Sequence, residues 1–363
     1  MDSGHANPCY IHNIGTAVPA PSIRSDDSAQ LLKDSCPNPR SAKLLARVTR
    51  LTGIETRHLI ALNHHTYSAG DQALYRPFEQ QPNGPGMGAR TAVFEKEAGP
   101  LLLEALHGFS QESLARVASL VTVTCTQAAS PGLDRPILTH TPIPASVHRW
   151  NLGFMGCSAG LAGVRLVHRG PIMQGDALVV ACELCSLHFQ YTDDLNQMTA
   201  NLLFADGAAA MLLSSQPSAV KVLDCRSVTV PALAEQMVWF ASDHGLKLRL
   251  SQDLPQTLAA HLPGAVDEFL GDNRLSRESV KHWLAHPGGP QILDSVEQSL
   301  ALGSDALRLS RGVFRRFGNM SSPTIFFILK DLIESRAEGL ALAMAFGPGL
   351  TIEMVLLRIS RNG

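Results

Sequence analysis

Apolar runs closed by glycine or proline recur along this chain, and the stretches between them carry helical spacing. Residues 10–18, 118–126, 177–186, 219–230, 280–285, 339–345 and 350–359 read as strands, the Val- and Thr-rich run 118–126 as a buried one, and 203–214 as a turn running into another apolar strand. Segments 25–34, 42–52, 92–108, 157–169, 292–300 and 319–334 read as helices. Residues 70–90, rich in Gly, Pro and Gln, read as a long surface loop. Strands alternating with helices imply an α/β architecture. No repeat is visible at the residue level.

The 363 residues suffice for two core-bearing units, and 45% hydrophobic with 17% charged residues describes a soluble globular chain. A net charge of −2 with no dense basic run makes nucleic acid an unsuitable partner. No apolar stretch is long enough to span a bilayer, and residues 1–8 lack a secretory h-region, so a cytoplasmic location is expected. Seven scattered cysteines argue against a disulfide framework. Cys182 and Cys185 have redox-pair spacing, but they lie in a strand-like run with no second pair and no spaced His pair, so no metal site is expected.

Three short motifs carry the chemistry. They are Gly156-Cys157-Ser158-Ala159-Gly160, then Ala285-His286-Pro287-Gly288-Gly289, then Gly318-Asn319-Met320-Ser321-Ser322. Each offers one polar side chain framed by small or turn-forming residues. A Cys nucleophile, a His and an Asn can carry out acyl transfer through a thioester. Cys157 at the first turn of a helix is expected to have its pKa lowered by the helix N-terminus, though a buried cysteine more often simply packs as a small hydrophobe. His286 ends an apolar run before a rigid turn. Asn319 reads as a helix N-cap whose amide is free to face a pocket.

The order and framing of these motifs resemble the type III polyketide synthases, the chalcone-synthase-like branch of the thiolase superfamily. Cys125-Thr126 before Pro131-Gly132-Leu133-Asp134, then Leu203-Phe204-Ala205-Asp206-Gly207-Ala208, Gln291-Ile292-Leu293-Asp294 and Phe346-Gly347-Pro348-Gly349-Leu350-Thr351 extend the resemblance over most of the chain. It implies a thiolase-like fold of two pseudo-duplicated βαβαβ halves in an αβαβα arrangement, residues 1–217 carrying the Cys and 218–363 the His and Asn. It also implies a homodimer that uses acyl-CoA and malonyl-CoA as substrates, with no resident cofactor. Cys157 would take the acyl chain as one half of an imidazolium–thiolate pair with His286. His286 and Asn319 would stabilise the enolate left by malonyl decarboxylation. Phe204 and Phe346-Gly347 would shape the pocket, and Arg47, with Lys43 and Arg50 nearby, would meet the CoA phosphates. Ala205 departs from the family's usual Gly.

Met237, Trp239, Asp243 and Gly245, with Leu250-Ser251 following, resemble the microbial alkylresorcinol and alkylpyrone synthases. That branch takes fatty acyl-CoA starters in a buried tunnel, whose small wall residues here would be Cys125, Ser130, Cys185 and Ala200. A single-round synthase of the ketoacyl-ACP synthase III type shares Cys, His and Asn but differs around the His. A non-catalytic acyl-binding partner of the same fold would not need the intact set.

Overall fold

The computed structural model describes residues 8–36, 38, 41, 48–63, 67–68, 71–127, 129–170 and 175–360. Its strands are β1 (Cys9–Ala17), β2 (Ser22–Arg24), β3 (Thr56–His58), β4 (Val117–Thr124), β5 (His148–Gly153), β6 (Asp176–Leu184), β7 (Asp206–Ser214), β8 (Val220–Thr229), β9 (Met237–Ser242), β10 (Gly245–Leu250), β11 (Val280–Ala285), β12 (Gly339–Gly347) and β13 (Thr351–Ile359). Its helices are α1 (Ser25–Ser35), α2 (Met87–Ala105), α3 (Gln111–Ala115), α4 (Asp134–His140), α5 (Ala159–Arg169), α6 (Leu195–Leu203), α7 (Leu254–Asp272), α8 (Pro290–Ser299), α9 (Arg308–Phe317) and α10 (Thr324–Glu334).

Among the described residues, nine strands form one sheet in the order β11-β12-β13-β8-β1-β7-β6-β4-β5. The repeat hidden in the sequence is plain in this topology. In the set β1, β4–β7, the first strand is innermost and antiparallel to the last. The last is antiparallel to β6, which runs parallel to β4. In the set β8, β11–β13, β8 is likewise innermost and antiparallel to β13, which is antiparallel to β12, which runs parallel to β11. The second set differs by having no counterpart of β5. The two sets join where Cys9–Ile11 pairs with Val220–Val222.

Alternation along β12 and β13 explains the layering. Leu342, Met344 and Phe346, with Ile352, Met354 and Leu356, join Leu258, Leu262 and Val266 of α7 and Leu293 of α8 in one core. Ala341, Ala343 and Ala345 on the opposite face join Ile325, Ile328 and Leu329 of α10 in the other. Gly160 lets the central helices α5 and α10 approach closely: a Cβ there would lie 2.6 Å from Ser322 O, just before α10, and 3.5 Å from Ile325 Cγ2. α10 is buried on all sides from Thr324 to Leu329, and apolar from Ile325, as a helix between two layers must be. A bidentate ion pair, Arg165 to the buried Glu353 at 2.9 and 3.0 Å, ties α5 to β13.

Several expectations need correction. Residues 69 and 70 lie outside the described residues, and the described part of the expected surface loop is anchored inward. Tyr75 is buried and donates to Ser186 O at 2.7 Å. Buried Arg90 donates to the carbonyls of Pro85, Leu187 and Phe189. α2 starts at Met87, earlier than the Gly and Pro of 84–88 suggested. The strand expected at 177–186 stops at Leu184 in a 3-10 turn, and residues 195–203 form a helix before β7. Of the helix expected at 42–52, residues 42–47 lie outside the described residues. No helix among the described residues is long and apolar enough to cross a membrane.

Candidate active site

Cys157 lies in one 3-10 turn, Gly156–Ser158, between β5 and α5. Gly156 has a φ of 62°, and a Cβ there would fall 2.5 Å from Pro348 Cδ. On the facing segment, a Cβ on Gly347 would fall 2.2 Å from Ser158 Oγ and 2.7 Å from Met155 O. Glycine at both positions lets residues 346–349 lie directly on the turn that presents the thiol. The Gly156 N–H donates to Cys125 Sγ at 3.1 Å.

His286 continues β11. Its N–H donates to Met344 O at 2.8 Å and its carbonyl accepts from the Gly288 N–H at 3.0 Å, so the backbone is fixed on both sides. The ring is buried, and neither nitrogen has a hydrogen-bond partner among the described residues.

Asn319 does not open the following helix: α10 starts at Thr324, and its N-cap is Pro323. Left-handed conformations at Gly318 (φ 71°) and Ser321 (φ 58°) fold residues 318–322 into a loop instead. Asn319 N–H donates to Leu203 O, and Ala205 N–H to Asn319 O, both at 2.8 Å. The Asn319 Oδ1 accepts from Ser321 N–H at 2.8 Å and from the Cys157 thiol at 4.0 Å, and Nδ2 donates to Gly288 O at 3.4 Å. The carboxamide therefore touches both the Cys157 turn and the His286 turn.

Burial pushes the Cys157 thiol up to about 12, opposed by a hydrogen bond from Ser321 and reinforced by nearby Glu183. Burial pulls the His286 imidazole down to about 3, partly offset by Asn319. Both shifts favour the uncharged forms, a thiol and a neutral imidazole. These directions run against the thiolate expected from the helix end: Cys157 precedes α5 across a 3-10 turn, and desolvation opposes the charged form. Glu183, also buried, accepts from Cys125 N–H (2.9 Å), Thr126 Oγ1 (3.1 Å) and Ser322 Oγ (2.7 Å). Burial still holds it up at about 7. It ties the end of β4 to the Asn319 loop.

Cys157, His286 and Asn319 face one cavity of about 50 Å³, whose other lining residues include Ala200, Leu203, Phe204, Met237, Trp239, Leu248, Leu250, Leu254, Leu258, Ile292 and Phe346. The Phe204 and Trp239 rings meet edge to face at 5.5 Å. Ala200, Phe204, Trp239 and Phe346 thus lie where the sequence suggested. Four others do not. Ser130 lines a separate open groove of about 550 Å³ with Phe94, Leu103 and Arg135. Cys185 lines a small hollow behind Phe204 and Trp239, with Arg57 and Asn201. Cys125 supports the Cys157 turn, and Gly347 packs on Ser158. Arg50 is exposed; Lys43 and Arg47 lie outside the described residues. No disulfide forms among the described residues.

Sequence reasoning missed the aliphatic wall residues Leu248, Leu250, Leu254, Leu258 and Ile292. The alternation of Leu246, Leu248 and Leu250 with Lys247 and Arg249 was a readable signal for a strand with one apolar face. Glu183 and Arg57 were also missed. Glu183 was signalled by being the one carboxylate between Ala177 and Cys185 in an apolar run; Arg57 carried no comparable signal.

Cys157, His286 and Asn319 in one largely apolar cavity form a set suited to acyl transfer through a thioester. Residues 227–360 match the family model of the chalcone and stilbene synthases, C-terminal domain, and residues 89–226 that of the FAE1/Type III polyketide synthase-like proteins. The chain is 30% identical to the type III polyketide synthase pspB of Penicillium soppii, covering 87% of each. It is 29% identical to the alpha-pyrone synthesis polyketide synthase-like Pks18 of Mycobacterium tuberculosis, covering 97% of this chain and 91% of that one. The crystal structure of PKS-I from the brown alga Ectocarpus siliculosus superposes with a TM-score of 0.88 at 25% identity, covering 99% of this chain and all of that one. This protein belongs to the type III polyketide synthases.

Proposed function

We propose that the protein loads a medium or long fatty acyl-CoA on Cys157 and extends it with malonyl-CoA to alkylpyrone or alkylresorcinol-type products. The observation that carries this reading is the composition of the cavity. Its polar side-chain groups are the Cys157 thiol, the His286 imidazole, the Asn319 carboxamide and the Trp239 indole, set in an aliphatic and aromatic wall. Similarity to a polyketide synthase-like protein of alpha-pyrone synthesis supports the product class.

In the loading step, neutral His286 accepts the thiol proton as Cys157 sulfur attacks the acyl-CoA carbonyl, and the CoA thiol leaves with a proton. Malonyl-CoA then loses carbon dioxide. Asn319 Nδ2–H and the N–H of neutral His286 donate to the thioester oxygen as negative charge gathers there. The resulting enolate carbon attacks the acyl–Cys157 carbonyl, a carbon–carbon bond forms, and the Cys157 sulfur is released. CoA thioesters are the substrates, and no step draws on a resident cofactor.

The cavity, about 50 Å³, is small beside ordinary ligand pockets of roughly 300–1,000 Å³. A fatty starter therefore enters as the Phe204–Trp239 contact opens. The proposed quaternary state is a homodimer, supported by the edge strand β5, exposed at His148–Asn151, with exposed Trp150 and Phe154 beside the groove. The proposed halves are residues 1–217 and 218–363. Incubation with a panel of acyl-CoAs and labelled malonyl-CoA, with products identified by mass, tests the reading. Alkylated pyrones or resorcinols are expected. Preference for acetyl-, malonyl- or aromatic starters over every fatty acyl-CoA from hexanoyl upward overturns it.

A further inference from the structure

Arg57 of β3 is buried at 2% exposure, yet its hydrogen bonds go to neutral groups. Its Nη1 donates to Asn201 O and Phe204 O, both at 2.7 Å, and its Nη2 to Ser28 Oγ at 3.1 Å. The two carbonyls belong to the last turn of α6 and its C-cap, where backbone acceptors run out of helical partners. A cation is favoured at that end. The nearest carboxylate, Asp206, spends its oxygens on Ile60 N–H and on Ser186 N–H and Oγ. Nη1 alone thus spans both carbonyls while Nη2 holds the Ser28 hydroxyl, so one planar group ties three points of the fold together.

The segment Arg57 grips is shared with the site. Leu203 and Ala205 bracket Phe204 and make the two backbone bonds to Asn319. The stem of Arg57 also lies against Gly318, where a Cβ would fall 3.0 Å from Arg57 Cγ and 3.0 Å from Leu203 O. On one side of residues 201–205 stands the fork of Arg57. On the other stand the Asn319 backbone and, through the Phe204 ring, Trp239.

We propose that Arg57 is the positioning residue for this reaction: by clamping the carbonyls of Asn201 and Phe204 it sets the Asn319 carboxamide against the malonyl thioester and the Phe204 ring against Trp239. It touches no reacting atom. The inference rests on the proposed role of Asn319 as a donor to that thioester oxygen.

The test compares Arg57→Met, Arg57→Lys and Asn319→Ala. Three quantities are measured: kcat and KM for decarboxylation of malonyl-CoA, the single-turnover rate of Cys157 loading, and the chain-length distribution of products. Because small misplacement of a positioned group costs up to roughly 10²-fold, Arg57→Met should lower decarboxylation kcat by about 10-fold or more, with loading and KM changed by less than about 3-fold. Its products should spread over more chain lengths. Arg57→Lys should show the same split to a smaller degree. Equal loss of loading and decarboxylation in Arg57→Met marks a general structural role and overturns the proposal, as does an unchanged kcat. Should Arg57→Met not fold, Arg57→Lys carries the same comparison, and absence of the split there overturns the proposal. Loss of decarboxylation in Asn319→Ala with an unaffected Arg57→Met defeats the Arg57 inference alone. Unchanged decarboxylation in Asn319→Ala defeats the underlying reading, and the inference with it.

Discussion

Phe204 and Asn319 form a parallel bridge, so an aromatic residue of the cavity wall and the carboxamide that touches the Cys157 thiol are fixed to each other through backbone. A disturbance at either end of the bridge is therefore felt by both chemistry and cavity shape. Asn319→Ala should slow malonyl-CoA decarboxylation by roughly 10²–10³-fold, the scale for losing one donor to a developing oxyanion. Wild-type decarboxylation in that variant would remove Asn319 from the mechanism.

Cys157 should behave as a protonated thiol in the free enzyme. With its pKa pushed up to about 12, the thiolate fraction grows about tenfold per pH unit across the neutral and mildly alkaline range. Iodoacetamide labelling of Cys157, followed by peptide mass spectrometry, should accelerate steadily with pH and show no plateau. A rate already level from about pH 6 upward would show a preformed imidazolium–thiolate pair instead. Cys157→Ala should lose extension altogether.

Starter length should respond to the residues that line the cavity and ignore those that do not. Trp239→Ala should extend the range of starters accepted, each additional buried methylene contributing up to about 0.8 kcal/mol. Ala200→Trp should shorten it. Ser130→Trp should leave it unchanged, because Ser130 faces the separate groove. Product profiling over an acyl-CoA series decides among these, and a strong effect of Ser130→Trp would contradict the assignment.

Stability should carry two opposed pH dependences. Glu183 rises on folding from 4.5 to about 7, so its contribution is full below the unfolded value and is lost as pH rises through about 7. His188 and His286 fall from 6.5 to about 4 and about 3, so their contribution is full above 6.5 and is lost as pH falls through those values. The windows overlap between about pH 4.5 and 6.5, where the two histidines run against the one glutamate and outweigh it. Glu183→Gln removes the first arm, so its Tm relative to wild type should climb between about pH 4.5 and 7. A constant difference across that range would show that Glu183 titrates normally.

The elements most legible in the sequence were those whose identity is set locally. The strand 280–285 falls on its expected residues because an apolar run there meets Pro287-Gly288-Gly289. The Asn319 loop misled because its left-handed Ser321 has no local signature, so an Asn before an apolar helix read as its cap. Wall residues chosen for small size went astray at Ser130 and Cys185, since size carries no spatial address. The aliphatic wall that does line the cavity comes from β10, α7 and α8, elements brought to the site only by tertiary packing. Arg57 was invisible for a different reason: its partners are main-chain carbonyls, which every residue possesses.

The hairpin β9–β10 forms a sheet of its own, apart from the nine strands that hold Cys157 and His286 at their ends. It is fastened by side chains reaching its backbone, with His188 Nδ1 and Gln197 Oε1 accepting from Leu246 and Leu248 N–H and Gln190 Nε2 donating to His244 and Leu246 O. Because these clamps grip main chain, the identities of Met237, Trp239, Leu248 and Leu250 are free of the fastening. The mould that shapes a product can thus be recast one side chain at a time while the reacting groups stay where they are, which makes this fold well suited to diversify by drift in a single short ribbon.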